Sequence, residues 1–215
     1  MQNTRTGTAY DKDANPLNLL PAAVAYTWAT LPAPSAYIGV AFVSDIGIHG
    51  SLWRSNGATW GLVNGSCILA DYGAQVGTVT GTTAETTLFT YNLPANLLGL
   101  SGHFRMRMKL SHTSSTNGKT MRVRVNGTAA LGMGPANNTQ TSEMWFEMQN
   151  RGATNSQIAG NGTMNPGSGS GSSTNAWTLL TQDSTAVLPI TFTTALAVST
   201  ETVTVETMFI ELVRP

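Results

Sequence analysis

Apolar and polar residues alternate with a period of two through much of the second half of the chain. The clearest run is Phe104-Arg105-Met106-Arg107-Met108-Lys109-Leu110, and Met121-Arg122-Val123-Arg124-Val125 repeats it. Such alternation predicts strands with one dry and one wet face. Further strand-like runs lie at 85–91, 143–148, 153–159, 177–180, 187–193 and 202–213, separated by turn signals such as Asn92-Leu93-Pro94 and Asn126-Gly127. Thr113-Ser114-Ser115-Thr116-Asn117-Gly118 reads as the tip of a hairpin joining the two basic strands, and 97–100 as a short helical turn closed at Gly102. Strands at this spacing predict an antiparallel β-sandwich, jelly-roll-like, over 85–215. No segment holds a helical period for more than about three turns, so the predicted class is all-β.

The first half reads differently. Residues 1–26 are polar, then Pro- and Ala-rich, and predict an extended arm. Residues 27–70 predict a three-stranded meander with strands near 37–43, 51–55 and 60–64, the last two joined at Asn56-Gly57, where glycine supplies positive φ. Its expected core is Trp28, Trp53 and Trp60 with Phe42 and Ile38. So small a sheet is marginal alone, which predicts packing against a neighbour or another copy. Residues 71–84 are Gly/Thr-rich and read as a linker or loose strand, and 160–175, rich in Gly, Ser and Asn, as a long mobile loop.

Composition sharpens this picture. Apolar residues make up 41% of the 215, enough for a packed core. Charged residues are only 10%, against roughly 25% in an ordinary domain, so the surface is neutral and hydroxyl-rich. The 11 basic and 11 acidic residues cancel, which gives no argument for nucleic acid. The single cysteine, Cys67, excludes an intrachain disulfide framework. No apolar stretch approaches a membrane span, and Met1-Gln2-Asn3-Thr4-Arg5-Thr6-Gly7 lacks the apolar segment of a secretory signal. The expectation is therefore neither membrane insertion nor secretion, with the sequons at Asn64, Asn126, Asn137 and Asn161 arising by chance.

The strand period places Arg105, Arg107 and Lys109 on one face, and Arg122 and Arg124 on the matching face of the returning strand. Like charges side by side destabilise a sheet, so these five need partners. Glu143 and Glu147 share a face and are the first candidates; Glu201, Glu206 and Glu211 are others. Three readings stand open: a solvated face laced with ion pairs, a subunit interface, or a surface for phosphate or anionic sugar. Among the tryptophans, Trp177 borders the low-complexity loop and is the candidate for an exposed receptor contact. Enzyme constellations are poor. His49, His103 and His112 lack metal-site spacing, Asp45, Asp71 and Asp183 sit in turn-like sequence, and no nucleophile elbow, phosphate loop or carboxylate pair stands out. The chain is expected to be non-enzymatic, with no cofactor and no metal.

Some stretches resemble known proteins. Tyr26-Thr27-Trp28-Ala29-Thr30-Leu31-Pro32, Val43-Ser44-Asp45-Ile46-Gly47 and Ser55-Asn56-Gly57-Ala58-Thr59-Trp60 resemble a small module of tailed-bacteriophage tail-fibre and spike proteins. Arg122-Val123-Arg124-Val125-Asn126-Gly127-Thr128, Gln149-Asn150-Arg151-Gly152-Ala153-Thr154-Asn155-Ser156-Gln157 and Val203-Thr204-Val205-Glu206-Thr207-Met208-Phe209-Ile210-Glu211-Leu212 are similar to the jelly-roll tips of phage fibres, head fibres and decoration proteins. The resemblance implies a homotrimeric virion protein, assembled in the host cytoplasm and fixed to other virion proteins by its arm and module. On the tail its sandwich would contact host-surface glycan. On the head it would be a decoration protein that cements the capsid. A glycan depolymerase is a further alternative, disfavoured by the short chain and the lack of paired acids.

Overall fold

A computed structural model describes residues 25–134, 140–160 and 177–214. The expected arm, apart from residues 25 and 26, and nearly all of the 160–175 loop lie outside the described residues. The strands are β1 (Ala25–Tyr26), β2 (Ile38–Val43), β3 (Ser51–Asn56), β4 (Trp60–Leu62), β5 (Ser66–Tyr72), β6 (Gly77–Thr80), β7 (Thr86–Leu93), β8 (His103–His112), β9 (Lys119–Val125), β10 (Thr128–Met133), β11 (Thr141–Asn150), β12 (Gln157–Gly160), β13 (Thr178–Leu180), β14 (Leu188–Leu196) and β15 (Thr202–Val213). Only single 3₁₀ turns, Trp28–Thr30 and Pro34–Ala36, interrupt them among the described residues.

Three sheets result. β1-β2-β3-β4 forms a four-stranded sheet, β10-β9-β14-β7 a second, and β13-β12-β11-β8-β15-β5 a larger one that also takes β6 on β15. The last two pack face to face as a β-sandwich. Phe104, Met106 and Met108 of β8, Met144 and Phe146 of β11 and Ile210 of β15 are buried in one core with Val123 of β9 and Phe192 of β14. Tyr91 of β7 reaches across to Phe104, ring centres 5.9 Å apart. The core is rich in methionine, an unbranched side chain that fills irregular gaps.

The sandwich corrects the hairpin expected from the two basic strands. β8 and β9 do not pair. β8 lies between β11 and β15, whereas β9 lies between β10 and β14. Residues 113–118 therefore arch from one sheet to the other. The reason is burial: as a hairpin, β8 and β9 would turn Met106, Met108, Met121 and Val123 to one side of one sheet. As an arch, each strand caps the other's apolar face. The basic residues are thereby divided, with Arg105, Arg107 and Lys109 on one outer surface and Arg122 and Arg124 on the opposite one.

The N-terminal half also departs from expectation. β1 runs parallel to β2, so the meander is four-stranded. Ala41 and Val43 of β2 are buried with Trp53 and Trp60, while Phe42 is only half-buried because it points the other way. The stretch read as a linker or loose strand carries β6, paired with β15. β5, which crosses the expected boundary at residue 70, pairs with β15 and carries Leu69 and Ala70 into the core. Asn126 and Gly127, with φ of 48° and 79°, close a β9–β10 hairpin whose second strand lacks a strict alternation.

Candidate functional site

The outer face of the large sheet is built in cross-strand rows. Glu211, Arg105 and Glu147 stand side by side on β15, β8 and β11, and that row ends at Gly160 on β12. The next row is Asp71, Phe209, Arg107 and Trp145. Beyond it come Thr207, Lys109 and Glu143. In the other direction lie Val213, His103, Gln149, Ile158 and Leu179. Alternating signs replace the like-charge repulsion that a bare basic stripe would suffer. Arg105 Nε is 3.3 Å from Glu147 and its Nη1 3.8 Å from Glu211. Arg107 pairs with Glu143 diagonally, and its guanidinium lies 4.8 Å from the Trp145 ring centre. Glu143 and Glu147, expected as partners, thus serve Arg107 and Arg105 within the same chain. Among the described residues Lys109 makes no ion pair.

Trp177 sits at the end of the Glu211–Arg105–Glu147 row. Gly160 leaves that position without a side chain, and the indole lies over it so closely that a Cβ there would fall against the ring. Trp177 as a whole residue is 57% exposed. With His103, Arg105, Glu147, Gln149 and Ile158 it lines a groove of about 260 Å³. Burial, reinforced by Arg105, holds the His103 imidazole below its ordinary pKa, so the histidine is neutral near pH 7. A flat apolar ring beside a carboxylate, a carboxamide, a guanidinium and an imidazole offers stacking and directed hydrogen bonds together.

A buried polar cluster fixes the edge strands that carry this groove. Gln157 Nε2 donates to Asn150 Oδ1 (2.9 Å) and the Gln182 carbonyl (2.9 Å), and the Gln182 amide donates back to Gln157 Oε1 (2.9 Å). Asn150 Nδ2 donates to Ser184 Oγ (2.8 Å), whose hydroxyl donates to the Thr154 carbonyl (2.8 Å). Asn150, Gln157 and Ser184 are all buried. Satisfied networks of this kind hold one geometry, so β12 and β13 present Trp177 on a rigid base.

On the opposite outer face Arg122 and Arg124 converge on Glu85, a partner the strand pattern did not indicate. Arg122 Nη1 lies 3.1 Å and Arg124 Nη2 2.8 Å from its carboxylate, and Thr193 Oγ1 donates to it as well. The Thr193 hydrogen bond, opposed by desolvation and helped by the two guanidiniums, holds the Glu85 carboxyl below its usual range. The neighbours in register are Thr191, Thr193, Thr87 and Thr90. No aromatic ring stands among these register neighbours.

Two buried cations escaped the sequence reading. Lys119 pairs with Glu201 at 2.9 Å, their side chains 2% and 3% exposed, and Asn117 and Ser115 donate to the same carboxylate, tying the 113–118 arch to β15. Arg214 joins the N-terminal sheet to the sandwich. It donates to the Leu97 carbonyl (2.9 Å) and lies 5.6 Å and 5.3 Å from the ring centres of Trp28 and Trp53. Burial lowers its pKa to about 10. Gly99, at φ 56°, is required here, because a Cβ would come within 2.5 Å of the guanidinium. Trp28 Nε1 donates to the Ala95 carbonyl (2.8 Å). Trp28 stacks tilted on Trp53, ring centres 4.8 Å apart, and these two seat the sheet on the sandwich. Among the described residues no group of three His, Cys, Asp or Glu is placed to hold a metal, and no helix is long and apolar enough to cross a membrane.

No protein-family model matches the chain, and no curated protein sequence matches it. Several solved structures are similar. Lectin I of Ulex europaeus, solved with the methyl glycoside of α-L-fucose, aligns over 69% of this chain and 98% of its own, at 7% identity and a TM-score of 0.36. The CBM2 module of an evolved Dit protein from Lactobacillus casei BL23 phage J-1 aligns over 59% of this chain and 69% of its own, at 7% identity and TM-score 0.33. Latent PorU of Porphyromonas gingivalis aligns over 66% of this chain but only 11% of its own, at 11% identity and TM-score 0.31.

Proposed function

We propose that this chain is a non-catalytic bacteriophage virion protein, a homotrimeric fibre or spike whose sandwich binds host-surface glycan in the groove beside Trp177. One observation carries the binding reading: an exposed indole locked over Gly160, with Glu147, Gln149, His103 and Arg105 around it. A pyranose offers an apolar face to such a ring and hydroxyls to planar amide and carboxylate groups. The virion assignment rests on the resemblance of 26–60 and 122–212 to phage fibre and decoration proteins. In this reading the sheet β1–β4 attaches to the particle, and the exposed Val40, Leu52 and Val63 mark its docking side. Binding at one groove is weak and is multiplied by copy number.

The test is a glycan array on the purified full chain, followed by calorimetry of the hits with wild type and Trp177→Ala. Wild type should bind with at least tenfold higher affinity than the variant at an unchanged melting temperature. Arrays blank at high protein density, together with no inhibition of phage adsorption by the protein, would sink the receptor role. Light scattering checks the trimer.

A further inference from the structure

The charges on the large outer face select among glycans. Its acids are Asp71, Glu143, Glu147, Glu211 and Glu206, the last accepting a hydrogen bond from Ser111. Its permanent cations are Arg105, Arg107 and Lys109. Five carboxylates against three cations leave the face negative, and His103, held neutral near pH 7, adds nothing to offset it. Lys109 alone among these cations lacks an ion pair among the described residues. It stands in register beside Glu143 and shares a groove with Asp71. An anionic sugar brought to it would meet both carboxylates.

That groove is the second observation. It has a volume of about 300 Å³ and is lined by Asp71, Arg107, Lys109, Thr207, Met208 and Phe209. It opens on the same face as the Trp177 groove, and each contains one aromatic side chain. The two lie at opposite ends of a stretch of β8 from His103 to Lys109, a span of roughly 20 Å at about 3.4 Å per residue. The Glu211–Arg105–Glu147 row belongs to the Trp177 groove and stands next to the Arg107 row of the second, so the two grooves abut. Two carboxylates flank one guanidinium there, and with Arg105 41% and Glu147 34% exposed both keep hydrogen-bonding capacity for a ligand lying across them.

We infer that the ligand is an uncharged oligosaccharide several sugars long, lying along β8 from the Trp177 groove to the Phe209 groove. The inference rests on the glycan-binding reading above. Uncharged hydroxyls suit both grooves, while phosphate- or uronate-bearing polymers are repelled by the excess of carboxylates. Two abutting grooves with hydrogen-bonding groups along them favour chain length over a single terminal sugar.

The experiment uses the full chain with neutral hexose oligomers of one to six units, based on glucose, galactose and rhamnose, and with matching oligomers that carry uronic acid. Affinity for the best neutral series should rise at least tenfold from one unit to four or more. It should change less than twofold between 20 and 500 mM NaCl, because no counterions are released. Phe209→Ala should erase the gain from length while leaving monosaccharide binding within twofold. Asp71→Lys, at an exposed position, should make uronate oligomers bind. A preference of wild type for uronates, or a tenfold salt dependence, overturns the neutral-ligand inference. Flat length dependence overturns the two-groove path. If Trp177→Ala binds as well as wild type, or nothing binds, the glycan-binding reading itself falls, and that outcome is separate from the others.

Discussion

The two outer faces of the sandwich carry related strands and use them in opposite ways. On the large sheet, Arg105, Arg107 and Lys109 are spread among carboxylates and rings on three neighbouring strands, and removal of one acid leaves the others in place. On the small sheet, Arg122 and Arg124 share one carboxylate, Glu85, in a field of threonines. Basic residues at alternate positions therefore do not identify a function. What differs is the side chains that neighbouring strands bring: on the large sheet an aromatic ring and two grooves, on the small sheet a single electrostatic node. The comparison predicts that ligand binding depends on the large face and that individual charges matter more for stability on the small one.

The largest effect should come from the seat of Trp177. Gly160→Ala puts a methyl group where the indole lies. The ring must leave, and glycan affinity should fall at least tenfold by calorimetry. Gly160 is the last residue of an edge-side strand, so the melting temperature should drop by no more than about 2–4 °C, equivalent to roughly 1 kcal/mol in a chain of this size. Arg124→Ala, on the other face, should leave glycan affinity unchanged. Equal loss of binding in both variants would break the comparison.

The same two faces show how far the chain can be read from its residues. The period of two places His103, Arg105, Arg107 and Lys109 on one face, and the same parity joins Gln149 to Glu147. The all-β sandwich was legible from that alternation and its turns. Which sheet each strand enters was not. A six-residue polar connection serves as hairpin tip or as arch, and the outcome depends on β11, β14 and β15, far along the chain. Glu85 was missed for the same reason, since its arginines reach it only once β14 lies between β9 and β7. Trp177 was recognisable as an aromatic beside a loop, but its seat requires β12 and β13 to pair. Arg214 gave no signal, because nothing in its local sequence foretells two indoles and a turn carbonyl around it.

An intermediate effect should come from Glu85→Gln. The change weakens two ion pairs and the bond from Thr193 at once. The site is partly exposed, and solvent screening limits the cost to about 1 kcal/mol. Acid titration then separates the two faces. The Glu85 carboxyl titrates below its ordinary value, so in the window below about pH 4.5 the unfolded chain binds more protons than the folded one. Stability from Glu85 is fully present above that value and is lost as pH falls through the lower folded pKa. Wild type and Glu85→Gln should therefore converge in stability as the pH falls from about 4.5 through the lower folded pKa. His103 also has a depressed pKa, and for it the unfolded chain is likewise the more protonated state. Its contribution is intact above about pH 6.5 and declines below it. On acidification this step should come first; His112, also held below its ordinary pKa by burial, contributes to it, so His103→Gln should shrink the first step in the denaturation midpoints and leave the later one.

The smallest effect is the most informative about the charge rows. Glu147→Gln removes one of two carboxylates around Arg105, and Glu211 remains 3.8 Å from its guanidinium. Both side chains of the broken pair are about a third exposed or more, and such pairs contribute roughly 0–1 kcal/mol. The stability loss by urea denaturation should be under about 0.5 kcal/mol, smaller than that of Glu85→Gln. Binding should nevertheless weaken, because the carboxamide keeps the shape of the groove floor but exchanges one strong acceptor for a donor. A loss of stability equal to that of Glu85→Gln would mean that Arg105 depends on one partner as Arg124 does. The large face would then be a set of separate nodes, and the distinction between the two surfaces would rest on Trp177 alone.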